Sequence, residues 1–203
     1  MKLISKVSPL QVKRTFIVSD RLAHQKAKKS LQWLSKEEFS KRLERVKTYA
    51  LKLDAKQIDR FIGKWQPRLV AYKSVAWYLG EAKTSEVGVW HGAGGLPEPW
   101  TKGSLKATAE KFNDAVQKKS KRLKRRIKRA VPGILRTSID FIQSDKYLLP
   151  IILPGGTIKG ARKGLRKMKG DIDDGCMRSI ALTVSGRKTI KAYIGVKKTD
   201  LKK

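Results

Sequence analysis

Acidic residues are scarce in this sequence. Its 203 residues include 17 Asp and Glu against 48 Lys and Arg, which gives a formal net charge of +31. Small soluble domains ordinarily need a net charge of only about 2–8. A larger excess makes the compact chain repel itself unless a polyanion supplies compensating charge. The composition therefore predicts a polyanionic partner, with nucleic acid as the first candidate and an anionic membrane surface as its rival.

Long apolar runs are missing as well. A membrane-spanning helix needs about 20 apolar residues, and the longest candidate run, residues 147–153, is short and contains Pro150. The first residues include Lys2 and Lys6 and lack the apolar stretch of a secretory signal. We therefore expect no membrane partner and, by default, a cytoplasmic location.

Cysteine is nearly absent. The single Cys176 excludes an intramolecular disulfide and cannot by itself form a cysteine-rich zinc site. His91 is one of only two histidines and has no evident partner in the sequence. We accordingly expect no cofactor and no bound metal.

The remaining composition can build a core, since 40% of the residues are hydrophobic and each aromatic type occurs five times. Ser35 with Glu38, and Asp54 with Gln57, have the spacing of capped helix starts. A third helix is expected from Pro67 to about residue 80. A long helix is expected from residue 104 to 131, ended by Pro132, with another directly after it.

Short strands are expected at both ends of the chain. Residues 2–18 are interpreted as two strands, because residues 15–18 are β-branched or aromatic. Residues 180–184 and 190–196 alternate in polarity around Gly186 and predict a β-hairpin. The predicted class is α+β, with a helical body near 35–80 and 104–144 supported by these terminal strands.

The chain divides into three regions by composition. Residues 1–83 are expected to hold strands and three helices, residues 84–103 a loop rich in glycine and proline, and residues 104–203 a strongly basic helical and hairpin region. One continuous domain is the alternative. The last region carries a net charge of +19 over residues 104–203 and should contribute more of the binding.

The strongest functional signal is an acid-free basic run at residues 118–129. On a helix, nine cations in twelve positions surround most of the circumference, and like charges at i,i+4 destabilise a free helix. A bound polyanion would reverse that effect. The nine predicted phosphate contacts are Lys118, Lys119, Lys121, Arg122, Lys124, Arg125, Arg126, Lys128 and Arg129.

A second basic segment, residues 155–170, contains five glycines. Glycine lets a backbone approach a polyanion closely, and successive N–H groups can cradle phosphate oxygens. A mobile loop whose charge only aids solubility is the alternative. The six predicted contacts are Lys159, Arg162, Lys163, Arg166, Lys167 and Lys169.

Two further features carry weaker hypotheses. Trp90 is a candidate for stacking on unpaired bases, with an anchoring role in the core as the alternative. Asp171, Asp173 and Asp174 invite a metal-dependent nuclease interpretation. Their spacing does not match a calcium-binding loop, however, so a turn or an acidic counterweight to the basic segment is favoured.

These features predict a non-enzymatic nucleic-acid-binding protein, with RNA favoured over duplex DNA because no helix-turn-helix, zinc-finger or basic-zipper pattern occurs. An RNA-binding subunit of a ribonucleoprotein complex fits best, and an RNA-guided effector complex is one example. Other protein subunits are then expected as partners. The alternatives are a genome-packaging or DNA-binding structural protein and a nucleic-acid enzyme that uses the three aspartates.

Overall fold

Six strands of the described residues form one mixed sheet. The computed structural model describes residues 1–24, 34–118, 125–158 and 167–201. The strands are β1 Lys2–Lys6, β2 Val75–Lys83, β3 Val87–Val89, β4 Ile151–Pro154, β5 Gly170–Asp174 and β6 Thr189–Lys197. They are ordered β1-β2-β6-β4-β5-β3 across the sheet. The first and last strands of the chain therefore both pair with β2, in the same sheet.

Strand pairing is antiparallel along most of the sheet. The longest pair, β2 with β6, is in register from Val75 opposite Lys197 to Lys83 opposite Thr189. β4 runs parallel to β6 and antiparallel to β5, and β5 runs parallel to the edge strand β3. The pairing of β4 with β5 shifts by one residue between Ile151 and Ile152, which leaves Asp173 as the extra residue of a bulge.

Helices pack around this sheet, and local signals place several of their ends. Ser35 and Asp54 both form capping boxes, with Glu38 and Gln57 respectively, as the sequence predicts. The helices are α1 Pro9–His24, α2 Lys36–Lys52, α3 Ala55–Ile62, α4 Gln66–Ser74, α5 Leu105–Gln117, α6 Arg125–Ser144 and α7 Cys176–Val184. The predicted α+β class is confirmed.

Two segments expected as strands are helical. Residues 15–18 lie inside α1, where Val12, Phe16 and other apolar side chains form a buried stripe. Residues 180–184 belong to α7, in which Ile180, Ala181 and Leu182 are all buried. A helix buried on most sides carries β-branched and aliphatic residues in runs that imitate a strand. β6 consequently pairs with β2 and β4, and not with residues 180–184.

Two helix boundaries also differ from expectation. The helix starting near Pro67 ends at Ser74, and Val75–Lys83 becomes β2, because pairing with β1 on one side and β6 on the other satisfies its backbone. α6 continues through Pro132, where a stop was expected. Proline has no N–H to donate to the carbonyl four residues earlier, so α6 continues here with one backbone hydrogen bond fewer.

An aromatic row joins two helices to the sheet. The rings of Phe16 in α1 and Tyr72 in α4 meet edge-on at 6.2 Å. Tyr72 in turn contacts Trp77 of β2 at 5.1 Å, and the Trp77 indole N–H donates to the Tyr72 carbonyl at 3.3 Å. Trp77 is only 1% exposed. This row therefore fixes α1 and α4 on one part of the sheet.

Among the described residues, no helix combines the length and apolar character needed to cross a bilayer.

We expect Trp77→Ala to lower the free energy of unfolding by about 3–5 kcal/mol, because it leaves a cavity between α4 and β2. Urea denaturation followed by far-UV circular dichroism measures this loss. Val70→Ala is the control, since Val70 is 63% exposed on α4, and it should cost less than about 1 kcal/mol. Similar losses for the two variants would contradict the packing of Trp77.

Candidate nucleic-acid interface

The basic run at residues 118–129 extends from the end of α5 into α6. The Ser104 hydroxyl caps α5 by accepting from the backbone N–H of Ala107, and the helix ends at Gln117 with exposed Lys118 as its C-cap. α6 begins at Arg125. The helix expected from residue 104 to 131 therefore ends early, at Gln117; residues 119–124 lie outside the described residues, and residues 125–131 belong to α6.

The predicted contacts in this run divide between two groups. The structure describes Lys118. It also describes the backbone of four further contacts, which belong to α6: Arg125, Arg126, Lys128 and Arg129. The other four lie outside the described residues: Lys119, Lys121, Arg122 and Lys124.

The second basic segment is the connection between β4 and β5, and its two ends are held together. The Gly155 N–H donates to the Lys169 carbonyl at 3.1 Å, and the Lys169 N–H donates to the Glu86 carbonyl at 3.0 Å. A Cβ at position 155 would lie 2.0 Å from the Met168 carbonyl oxygen, so only glycine fits. The sheet therefore fixes where this segment leaves the body.

Two of the six predicted lysines and arginines of this segment are described. Lys167 is exposed. Lys169 is exposed too, and its ammonium lies 2.9 Å from the Glu86 carboxylate. Hydrogen bonds from Lys169 and from the chain's N-terminal amine lower the pKa of Glu86 to about 2. The remaining contacts, Lys159, Arg162, Lys163 and Arg166, lie outside the described residues.

The three aspartates of β5 are bound to other parts of the protein. Asp173 has a fully buried side chain that accepts from the Arg68 Nε at 3.0 and 3.1 Å and from the Tyr72 hydroxyl at 2.7 Å. Burial raises the pKa of Asp173 and raises that of Tyr72 well above its ordinary value. This carboxylate is held by a cation and a phenol inside the fold.

Asp174 and Asp171 have partners of their own. Asp174 pairs with Arg178 at 2.8 Å and accepts from the Ser19 hydroxyl at 2.9 Å. Asp171 accepts from the Gly156 N–H at 2.9 Å, which helps to fix the base of the basic segment. Within the described ranges no group of three or more His, Cys, Asp or Glu is arranged to hold a metal ion. The structure thus gives each aspartate a bonding role between elements.

Cys176 and His91 also have local partners. Cys176 donates to the Ile172 carbonyl at 3.4 Å, and burial raises its thiol pKa to about 12. A thiol with so high a pKa stays protonated and unreactive near neutral pH. His91 lies 3.0 Å from the Glu98 carboxylate.

Trp90 is half-buried, and its ring packs edge-on against Trp65 with centroids 5.2 Å apart. The Arg68 guanidinium lies 5.6 Å from the Trp90 centroid and 4.8 Å from that of Trp65. Trp90 also lines a largely apolar cavity of about 420 Å³ that reaches Asp173. These contacts tie the glycine-rich loop to the core, and base stacking by Trp90 stays a prediction.

A cluster of arginines between α1 and α2 was missed by the sequence analysis. Arg21, Arg42 and Arg45 line a pocket of about 170 Å³ together with Val46 and Tyr49. Arg42 is only 6% exposed, although a cation on an amphipathic helix is ordinarily expected on its solvent face. The i,i+3 spacing of Arg42 and Arg45 was visible in the sequence, whereas the approach of Arg21 depends on α1, part of which was expected as a strand.

Comparison with models of protein families finds no match, and neither curated proteins nor solved structures show significant similarity to this chain.

We expect Asp173→Ala to cost about 3–5 kcal/mol of unfolding free energy, because it leaves Arg68 and the buried Tyr72 hydroxyl without their partner. Chemical denaturation monitored by tryptophan fluorescence measures this loss. Asp140→Ala is the matched control, since Asp140 pairs with Lys36 where both side chains are more than 60% exposed. The control should lose less than about 1 kcal/mol of unfolding free energy. Equal losses for the two variants would show that the contacts of Asp173 with Arg68 and Tyr72 stabilise the protein no more than a surface ion pair does.

Proposed function

We propose that the protein binds nucleic acid by contacting phosphates through the basic run at residues 118–129 and the basic segment at residues 155–170. Single-stranded or structured RNA is the favoured ligand. The observation that carries the proposal is the separation of charge along the chain: all 17 acidic residues lie outside the two basic segments.

The acids are distributed within the folded body. All 17 lie in the described residues. At least nine form ion pairs with lysine or arginine: Glu37, Glu44, Asp59, Glu86, Glu110, Asp140, Asp145, Asp173 and Asp174. Two more acids, Glu38 and Asp54, cap helices. The acids thus neutralise cations of the body, and the excess of +31 remains for a polyanion to compensate.

The two segments begin and end at fixed points of the fold. One leaves the end of α5 and enters the start of α6, and the other leaves β4 and returns to β5. Neither segment matches the helix-turn-helix, zinc-finger or basic-zipper patterns that fit the major groove of duplex DNA. This supports RNA over duplex DNA and fits an RNA-binding subunit of a ribonucleoprotein complex.

Genome packaging is the second candidate, and the same excess of charge supports it, because charge neutralisation alone would then be the function. Assembly of the protein without nucleic acid would favour packaging. Magnesium-dependent cleavage that is lost in Asp173→Ala would favour the nuclease alternative, although Asp173 is held by Arg68 and Tyr72.

Binding should weaken steeply as salt concentration rises. If about eight phosphates are neutralised, the logarithm of affinity should fall against the logarithm of salt with a slope near −6 for single strands and −7 for duplex. Fluorescence anisotropy with a labelled oligonucleotide at several salt concentrations measures the slope. A slope shallower than about −2 would refute binding through the phosphate backbone.

Placement of the cations should matter more than their number. We expect the fourfold replacement of Arg122, Arg125, Arg126 and Arg129 by Gln to reduce the salt slope by about 3–4 and to weaken binding accordingly. The control replaces four exposed cations of the α2–α3 region by Gln: Lys52, Lys56, Arg60 and Lys64.

Both variants lose the same net charge, so a difference between them reports contact with phosphate. Filter binding at one fixed salt concentration, together with the salt series, compares them. Equal losses of affinity would show that only the overall charge of the protein attracts the ligand.

A further inference from the structure

The pocket between α1 and α2 has a volume of about 170 Å³, and three of its five lining residues are arginines, the five being Arg21, Arg42, Arg45, Val46 and Tyr49. None of its lining residues carries a carboxylate, and within the described part of the chain no acid forms an ion pair with any of the three arginines. Like charges that line one pocket repel one another. The pocket therefore has a strong local preference for an anion.

Two of the three arginines are held in place by neighbouring groups. The Arg21 guanidinium lies 3.9 Å from the centre of the Tyr49 ring and donates to the Tyr49 hydroxyl at 2.6 Å. Stacking on a ring uses the face of a guanidinium and leaves N–H groups at its edge for a ligand. Arg42 donates to the Leu22 carbonyl at 3.3 Å near the end of α1. The pocket is thus a preformed arrangement of donors.

Arg42 is the arginine of the pocket whose charge is least compensated by its surroundings. Its side chain is 6% exposed, and its Nε is buried without a hydrogen-bond partner among the residues described. Burial, followed by the charge of Arg45, lowers the pKa of Arg42. A guanidinium removed from water without a compensating charge is destabilising. A bound anion would supply the missing charge.

We propose that this pocket binds a phosphate monoester, and that its natural ligand is the terminal phosphate of a nucleic-acid strand. The assignment of the strand rests on the proposed function, whereas the preference for a phosphate monoester follows from the pocket.

The shape and charge of the pocket favour an end group over an internal phosphate. A backbone diester has a sugar on both sides and a single negative charge, so it contacts exposed cations more readily than a buried arginine. A monoester has one substituent and carries a charge of about −1.5 to −2 near neutral pH. It can enter end-on, and three arginines offer the planar donor pairs that phosphate oxygens accept.

The test compares three probes: one oligonucleotide with a hydroxyl at both ends, the same oligonucleotide phosphorylated at its 5′ or its 3′ end, and inorganic phosphate. We expect one phosphorylated form to bind about tenfold more tightly than the hydroxyl form, as for a charge-assisted contact. Arg45→Gln should bring that ratio towards one and change the affinity for the hydroxyl form little. Arg45 is exposed, so its replacement should leave the fold intact.

Arg60→Gln is the control, because it removes one exposed arginine of α3 with the same change in charge; it should keep the tenfold ratio. Equal affinity for both oligonucleotides overturns the inference and leaves the proposed function standing. Failure of both oligonucleotides to bind overturns both. If inorganic phosphate binds as tightly as the phosphorylated strand and depends on Arg45 in the same way, the pocket takes free phosphate and the assignment to a strand end is wrong.

Discussion

The carboxylates of β5 hold the helices to the sheet, in a chain whose cations otherwise repel one another. Asp173, raised out of the regular pairing by a bulge, reaches Arg68 and Tyr72 of α4. Asp174 connects α7 with α1 through Arg178 and Ser19. A buried ion pair is costly to assemble but costlier to break on one side. The relative placement of α1, α4, α7 and β5 depends on these few acids.

Because the acids are used in these contacts, they determine how much positive charge the protein keeps. Most of the paired carboxylates bind cations of the folded body or cap helices, although Glu86 pairs with Lys169 of the second basic segment, and the protein keeps a formal net charge of +31. Self-repulsion of this kind destabilises the compact state. A polyanion that binds only the folded chain would stabilise it in proportion to its concentration and affinity. Folding and ligand binding are therefore expected to be thermodynamically coupled.

Features of the fold that depend on residues close together in the sequence were predicted correctly, and features that depend on distant elements were not. The capping boxes at Ser35 and Asp54 involve residues three positions apart, and both were predicted correctly. Residues 15–18 and 180–184 have the composition of strands, but burial against several elements makes them helical. Local composition does not encode how many sides of a segment will be covered, and the strand predictions failed for that reason.

The same distinction separates the two kinds of proposed phosphate contact: those visible in the sequence and those visible only in the fold. The runs at residues 118–129 and 155–170 are visible as composition, because attraction of a polyanion to exposed cations needs only their density. Arg42 is one of several cations on α2, and nothing in its sequence neighbours shows that it is buried. Its burial depends on α1, which brings the Leu22 carbonyl and Arg21 to the same place. Recognition of a single phosphate needs such convergence from two helices, so it becomes evident only in the folded chain.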